Sequence, residues 1–364
     1  MIDNVKITLN ECDCDFSKCA FKGVKFQWNV YYLYSDIEDD EAFLQLEYLK
    51  SKNILRISGS IRKWYLGLFS LSDLNKNQFE LATKKIAKYL RIPYNKFCEG
   101  TITNCEIGLN IKTRIPSNEV NELVTYFSKL DYYRYKYDTV GFLSEDLKIK
   151  LYNKCEELLK HYGKYDKGNF VQKHFEELAK KGIFYLRIEF TLKDNRSFSS
   201  YGLENLNSIG AIVSNYARLV EFWTNQCSKI QLMSGINFDD EKMTKEHYAV
   251  LVGVHSLGVV IFTERYAKKS ENKKNAKGKK HGSSAITALS RARKEVSDII
   301  NMYRLPDTYN VGRFRVDIFK TLKSKMGDDN DISMRTLILS LWGNYQVDNN
   351  KGNITKISNT INTL

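Results

Sequence analysis

The chain reads as an α+β protein: a central, largely antiparallel sheet with one polar face, flanked by helices, then a mainly helical and basic C-terminal region. Three observations predict this. Apolar and polar residues alternate strictly at 103–112, 148–154 and 185–191, which marks half-buried strands. Around these strands the apolar residues recur at helical spacing. Past residue 235 the strand patterns stop, and cations and asparagines accumulate. The order of elements after a hairpin-rich start places an α+β domain at 1–235 and a distinct region at 240–364.

Taken in order, strands are expected at 5–9, 25–33, 43–49 and 54–61, with the acidic run Asp36–Glu41 as a solvated loop tip. The segment Ile61–Gly67 sets Arg62 and Lys63 beside Trp64 and Tyr65. That interleaving suits a contact surface for nucleic-acid backbone and bases, and it equally suits a strand end with a packed tryptophan. Phe79, Ala82, Ile86 and Leu90 predict a helix over 73–91, stopped by Pro93. Ser117 is read as the cap of a helix carrying Val120, Val124, Phe127 and Leu130. Further helices are expected at 167–181 and 204–226. No internal repeat is visible.

The strand patterns assign faces. Cys105, Ile107, Leu109 and Ile111 point inward, and Asn104, Glu106, Gly108 and Asn110 outward. Leu147, Ile149 and Leu151 oppose Lys148, Lys150, Tyr152 and Lys154. Leu186, Ile188 and Phe190 oppose Tyr185, Arg187, Glu189 and Thr191. In one sheet, the outward rows would gather carboxylates, a tyrosine, an arginine and several lysines on one face. Such a set suits metal-assisted attack on a phosphodiester, although an ordinary solvated sheet face carries the same residue types.

With 56 Lys and Arg against 43 Asp and Glu, the chain has a formal charge of +13, which favours a polyanionic partner. The 23 tyrosines could stack on bases as well as fill cores. Between Arg265 and Arg304 there are 12 Lys and Arg against 3 Asp and Glu. Within that stretch, 268–284 reads as a flexible Lys-rich loop. The helix after it carries Ile286, Leu289, Val296, Ile299 and Tyr303 on one side, with Arg291, Arg293 and Lys294 off that stripe. Loop and helix fit contact with phosphates.

No apolar run is long enough to span a bilayer, and the N-terminus has no signal or transit character, so no membrane partner is expected. Seven irregularly spaced cysteines point to a reducing compartment, the cytoplasm. Cys12, Cys14 and Cys19 lack an evident fourth ligand for zinc. The five histidines form no metal motif, and neither a phosphate-binding G-x4-G-K-[ST] loop nor a G-x-S-x-G elbow is present. A phosphate-directed enzyme would therefore hold its metal with carboxylates, which suit Mg²⁺ or Mn²⁺.

The runs Lys148-Ile149-Lys150-Leu151-Tyr152-Asn153-Lys154 and Tyr185-Leu186-Arg187-Ile188-Glu189-Phe190-Thr191 resemble the replication initiators of filamentous phages, of the gene II/X type. Asn104–Ile111 and Ile57–Tyr65 are similar to that family's preceding segments, in the same order, from about residue 55 to 235. The family's members are rolling-circle nicking-joining endonucleases. The resemblance implies that Tyr152 is the nucleophile, with Lys154 and Arg187 as further catalytic residues. It also implies Glu106, Glu189 and Glu157 as acidic positions for Mg²⁺ or Mn²⁺. The His-hydrophobic-His metal pair of better-known rolling-circle nucleases is absent. Expected partners are DNA, as origin duplex and single strand, with host helicase and polymerase. Arg62, Lys63, Lys148, Lys150, Arg291, Arg293 and Lys294 are the expected DNA contacts. Tyr133, Tyr135 and Tyr137 are rival nucleophiles. A non-catalytic DNA-binding replication regulator is the competing reading, and RNA binding is a third.

Overall fold

The structure is a computed structural model. It describes all residues except 38–40, 117–123, 128–130, 136–138, 228–229, 233–236, 258–261, 270–284, 304–308, 327–344, 348–353 and 357–364. The architecture is α+β, built on a ten-stranded sheet in which every neighbouring pair is antiparallel. Its strands are β1 (Ile2–Leu9), β2 (Ala20–Lys25), β3 (Trp28–Tyr34), β4 (Phe43–Leu49), β5 (Ile54–Ser60), β6 (Thr101–Thr113), β8 (Asp131–Tyr135), β9 (Thr139–Leu143), β10 (Leu147–Asn153) and β11 (Phe184–Leu192). Strand β7 (Val124–Phe127) lies outside this sheet and pairs with 230–232.

The strand order is β2-β3-β4-β5-β1-β6-β11-β10-β9-β8. Counted outward from the centre, one half runs β1, β5, β4, β3, β2 and the other runs β6, β11, β10, β9, β8. Each half lays down its inner strand first, jumps to the rim and meanders back. The two halves thus share one winding pattern, which the sequence itself does not display. The antiparallel pair β1–β6 joins them.

The alternating rows fold as read. Cys105, Ile107, Leu109, Ile111, Leu147, Ile149, Leu151, Leu186, Ile188 and Phe190 are fully buried. They share a core with the helices Lys76–Tyr89, Ile209–Ser214 and Tyr216–Cys227. The first of these starts at a reciprocal cap: Asn75 accepts from the Gln78 amide, and Gln78 accepts from the Asn75 amide. Trp223 donates its indole N–H to the Ile188 carbonyl at 3.1 Å, pinning the last helix to β11.

Four expectations are corrected. The strand expected at 25–33 contains a two-residue hairpin turn, with Phe26 and Gln27 at φ 47° and 69°. The segment after Ser60 is a helix, Ile61–Leu66, because the Ser60 side chain accepts from the Lys63 amide. Residues 124–127, read as helix, form β7; the proposed cap Ser117 lies outside the described residues. The 204–226 helix is broken at Asn207–Ser208 and at Asn215.

A second apolar cluster joins Val250, Leu251, Val254, Val296, Ile299, Ile300 and Tyr303. The helix Tyr309–Met326 does not belong to it: Phe314, Ile318, Phe319 and Leu322 are buried in the first core. The region from 240 onward is therefore not one unit. Of the expected Lys-rich loop, Lys268 and Lys269 end a helix at 262–269, and 270–284 lies outside the described residues. No helix among the described residues is long and apolar enough to cross a membrane.

Candidate active site

The site forms where β10, β11, β6 and β1 present their polar rows side by side. Register aligns Tyr152 with Arg187 and Asn110, and Lys150 with Glu189 and Gly108. In β1, Ile2 pairs with Ile107 but Val5 with Cys105, so Asp3 and Asn4 together oppose Glu106. This bulge delivers two polar residues where a regular strand would deliver one. Asn4 donates to Glu106 at 2.9 Å, and Asp3 accepts from Ser60 and from Arg62.

Glu189 is the hub. It accepts from Lys150 at 2.8 Å on one oxygen, and from Tyr152 at 2.9 Å and Arg187 at 3.0 Å on the other. Arg187, with no solvent exposure, also reaches Asp3 at 2.9 Å, Asp73 at 3.0 Å and Asn110 at 3.0 Å. Asp73 in turn accepts from the Asn110 amide at 2.7 Å. A buried cation needs compensating charge, and three carboxylates, Asp3, Asp73 and Glu189, surround this one, although Nη2 makes no hydrogen bond. The guanidinium lies across the backbone of Gly108: a Cβ there would come within 2.6 Å of Arg187 Nη2 and 2.9 Å of Glu189 Cβ. Only glycine permits that approach.

The electrostatics separate the groups. Burial opposes the charge on Glu189, but Lys150 and Arg187 override it and hold the carboxyl at about 2. Glu106 is in no ion pair among the described residues: burial, then the charges of Glu189 and Asp3, outweigh Lys150 and push it up to about 7. Burial, with the Glu189 carboxylate next, raises the Tyr152 phenol well above its ordinary value. The phenol is hydrogen-bonded to a carboxylate, so Tyr152 rests as a hydrogen-bond donor. Lys154 is lowered to about 8, first by burial and then by Arg62.

Tyr152, Lys150 and Glu157 line a cleft of about 580 Å³, walled by the helix Lys154–Tyr162. Lys154 is not on the strand face: Asn153 ends β10 and caps this helix, whose first residue is Lys154. Its side chain is 1% exposed and bound to Glu157 at 2.6 Å, with Nζ 5.6 Å from the Tyr152 ring centre. Arg187 and Lys154 are therefore buried, and Tyr152 alone of the three nominated catalytic groups opens to the cleft. Glu157, bound to Lys154 and 3.9 Å from Lys63, does not join Glu106 and Glu189. Among the described residues no three His, Cys, Asp or Glu side chains converge as a metal site.

The expected DNA contacts divide. Arg62 is buried against Asp3 and the Ser70 carbonyl, so it is not a surface contact. Lys63 donates to the Tyr162 hydroxyl at 2.8 Å. Lys148 and Lys150 are half-buried, and Lys150 lines the cleft. Arg291, Arg293 and Lys294 are exposed on Ala285–Tyr303, in the second cluster; Arg291 and Lys294 line another cavity with Glu246, Glu295 and Asp298. Tyr133 and Tyr135 lie on β8, two strands from β10, and Tyr137 lies outside the described residues. Sequence reasoning missed Asp3, Asn4 and Asp73; Asn110 was placed on the correct face without a role.

Comparison with protein-family models, with curated proteins and with solved structures finds no match to this chain.

Proposed function

We propose that the protein is a rolling-circle DNA replication initiator that nicks one strand at an origin through Tyr152 and later rejoins the displaced strand. The observation that carries this reading is the hydroxyl of Tyr152, in a cleft, donating at 2.9 Å to a buried carboxylate held by Lys150 and Arg187. A phenol oriented by a fixed carboxylate and opening to a cleft beside a lysine is placed for attack on a phosphate. Tyr152 Oη, oriented by its hydrogen bond to Glu189, attacks the phosphorus, and its proton is released to solvent. The P–O3′ bond breaks, and the leaving 3′-oxygen takes up a proton. The products are a 5′-phosphotyrosine and a 3′-hydroxyl, and the reverse step rejoins the strand without ATP.

Glu106 and Glu189 are the side chains that would hold Mg²⁺ or Mn²⁺. An un-neutralised Glu106 fits a cation, and magnesium sites use one or two carboxylates plus substrate phosphate. Bound there, the ion would polarise the scissile phosphate. Lys150 and Lys148 would meet the phosphates, Arg187 would hold Glu189 in place, and the partner would be origin DNA. The test incubates origin DNA or a single-stranded oligonucleotide pool with Mn²⁺ and seeks a denaturation-resistant adduct mapped to Tyr152. Tyr152→Phe should abolish the adduct while changing DNA affinity less than about threefold. An adduct that persists in Tyr152→Phe overturns the assignment. Salt-sensitive binding without any adduct in the wild type would favour the non-catalytic regulator.

A further inference from the structure

The polar face of the sheet does not end at the candidate site. Matched register carries it across the molecule: Tyr32 faces Gln45, Gln45 faces Ser58, Ser58 faces Lys6, and Lys6 faces Asn104. Two residues along β6 from Asn104 is Glu106, which faces Thr191 and then Lys148. At the far end of this face stand four aromatic rings, Trp28, Tyr32, Tyr34 and Phe43. Tyr32 and Phe43 stack at 4.3 Å with an interplanar angle of 13°. Lys22 lies 5.0 Å from the Tyr32 ring centre, and Arg56 lies 4.2 Å from that of Trp28. None of the four rings is buried, and Phe43 is 41% exposed.

Large rings are costly to leave in water, and here they lie together with cations over their faces rather than packed in the core. We infer that this end of the sheet is a stacking platform for the bases of single-stranded DNA, continuous with the cleft of Tyr152. The inference rests on the nicking reading for what enters the cleft. Flat rings accept any base on a π-face, while Lys22, Arg56 and Lys6 meet the backbone. Glu47 is the one carboxylate among the facing residues of β3–β5, and it accepts from Gln45 at 3.0 Å. From β3 to β10 there are six strand spacings, about 29 Å at roughly 4.8 Å each, so one strand of several nucleotides would span both sites.

The shared winding of the two halves gives the platform its place. Strands β3 and β4 stand in the first half where β9 and β10 stand in the second, and a two-fold relation across an antiparallel pair keeps the same face up. One face therefore carries a base-stacking end and a phosphate-attacking end.

The test compares wild type with Tyr32→Ala/Phe43→Ala by anisotropy, using labelled oligo(dT) of 20 nucleotides, the same sequence as RNA, and a duplex. Loss of stacking should weaken binding of the 20-mer DNA about 5- to 150-fold per base lost, with little change for duplex. Tyr32→Phe should retain affinity, which separates stacking from misfolding. Trp28 fluorescence should be quenched by oligo(dT) and lose that signal in Trp28→Phe. Equal affinity of the double variant and wild type for the 20-mer, with melting temperatures alike, overturns the platform whether or not Tyr152 forms an adduct. Equal dependence for the RNA 20-mer, at higher affinity, overturns DNA as the occupant. A platform-dependent affinity for DNA without any adduct would sustain the platform and remove the nicking reading.

Discussion

At the scale of single groups, the site works by unequal sharing of cations. Glu189 is ion-paired to Lys150 and Arg187, whereas Glu106 accepts a hydrogen bond from Asn4 and feels Lys150 without pairing to it. Glu106 therefore keeps its proton up to about pH 7 in the folded chain, against 4.5 ordinarily. Between those values the native state holds a proton that the unfolded state has released. Stability must fall as pH rises through that window, and the whole loss is present above 7. Glu106→Gln removes this dependence. Its melting temperature should match wild type near pH 5 and exceed it at pH 8, and Mn²⁺ at pH 8 should raise wild type more than the variant. A constant gap between the two across pH 5–8 would show that Glu106 titrates normally. The sequence placed Glu106 and Glu189 on one face because alternation is local. It could not show Asp3 or Asp73, which arrive through a bulge and a loop whose hydrogen-bond partners Ser60, Arg62, Asn110 and Arg187 lie 37 to 114 residues away.

At the scale of elements, the abrupt change from β10 to helix sets the site's wall. Asn153 closes the strand and accepts from the amides of Cys155 and Glu156, so the helix starts one residue after Tyr152's neighbour. That start turns Lys154 inward toward Glu157 and carries Glu157 to the cleft. Asn153→Ala should cost about 1 kcal/mol in urea denaturation, the usual loss of an N-cap. It should also speed amide exchange at Cys155 and Glu156 before the strand amides of β10. Unchanged exchange there would mean that packing, not the cap, holds the helix. Strands with strict alternation were legible to within a residue or two. The Phe26–Gln27 turn was not, since it lacks the Gly or Asn that usually marks a positive-φ hairpin. The helix read over 117–130 failed for a related reason: Val124 and Phe127 fit helical spacing, but short apolar stretches fit a strand equally well.

At the scale of the whole molecule, the sheet's two halves and a returning C-terminal helix form one apolar body. Composition divided the chain near residue 240 because charge changes there, yet burial follows contact rather than charge. Leu322 has no solvent exposure and sits in the core shared with β6, Phe314 and Ile318. Leu322→Ala would leave a cavity among residues of the sheet core, at a cost of about 2–5 kcal/mol. If the helix Tyr309–Met326 belonged to an independent C-terminal unit, that cost would fall on a separate transition and leave the sheet's melting untouched. The expected outcome is the opposite: the transition followed by the β-sheet amide signals, including those of β6 and β11, moves to lower urea together with the helix. Two separated transitions, with the sheet's midpoint unchanged, would restore the boundary near 240. A single shifted transition would make the C-terminal helix part of the framework that holds Glu106 and Glu189 in register, and would place its loss among the routes by which a distant truncation weakens the site.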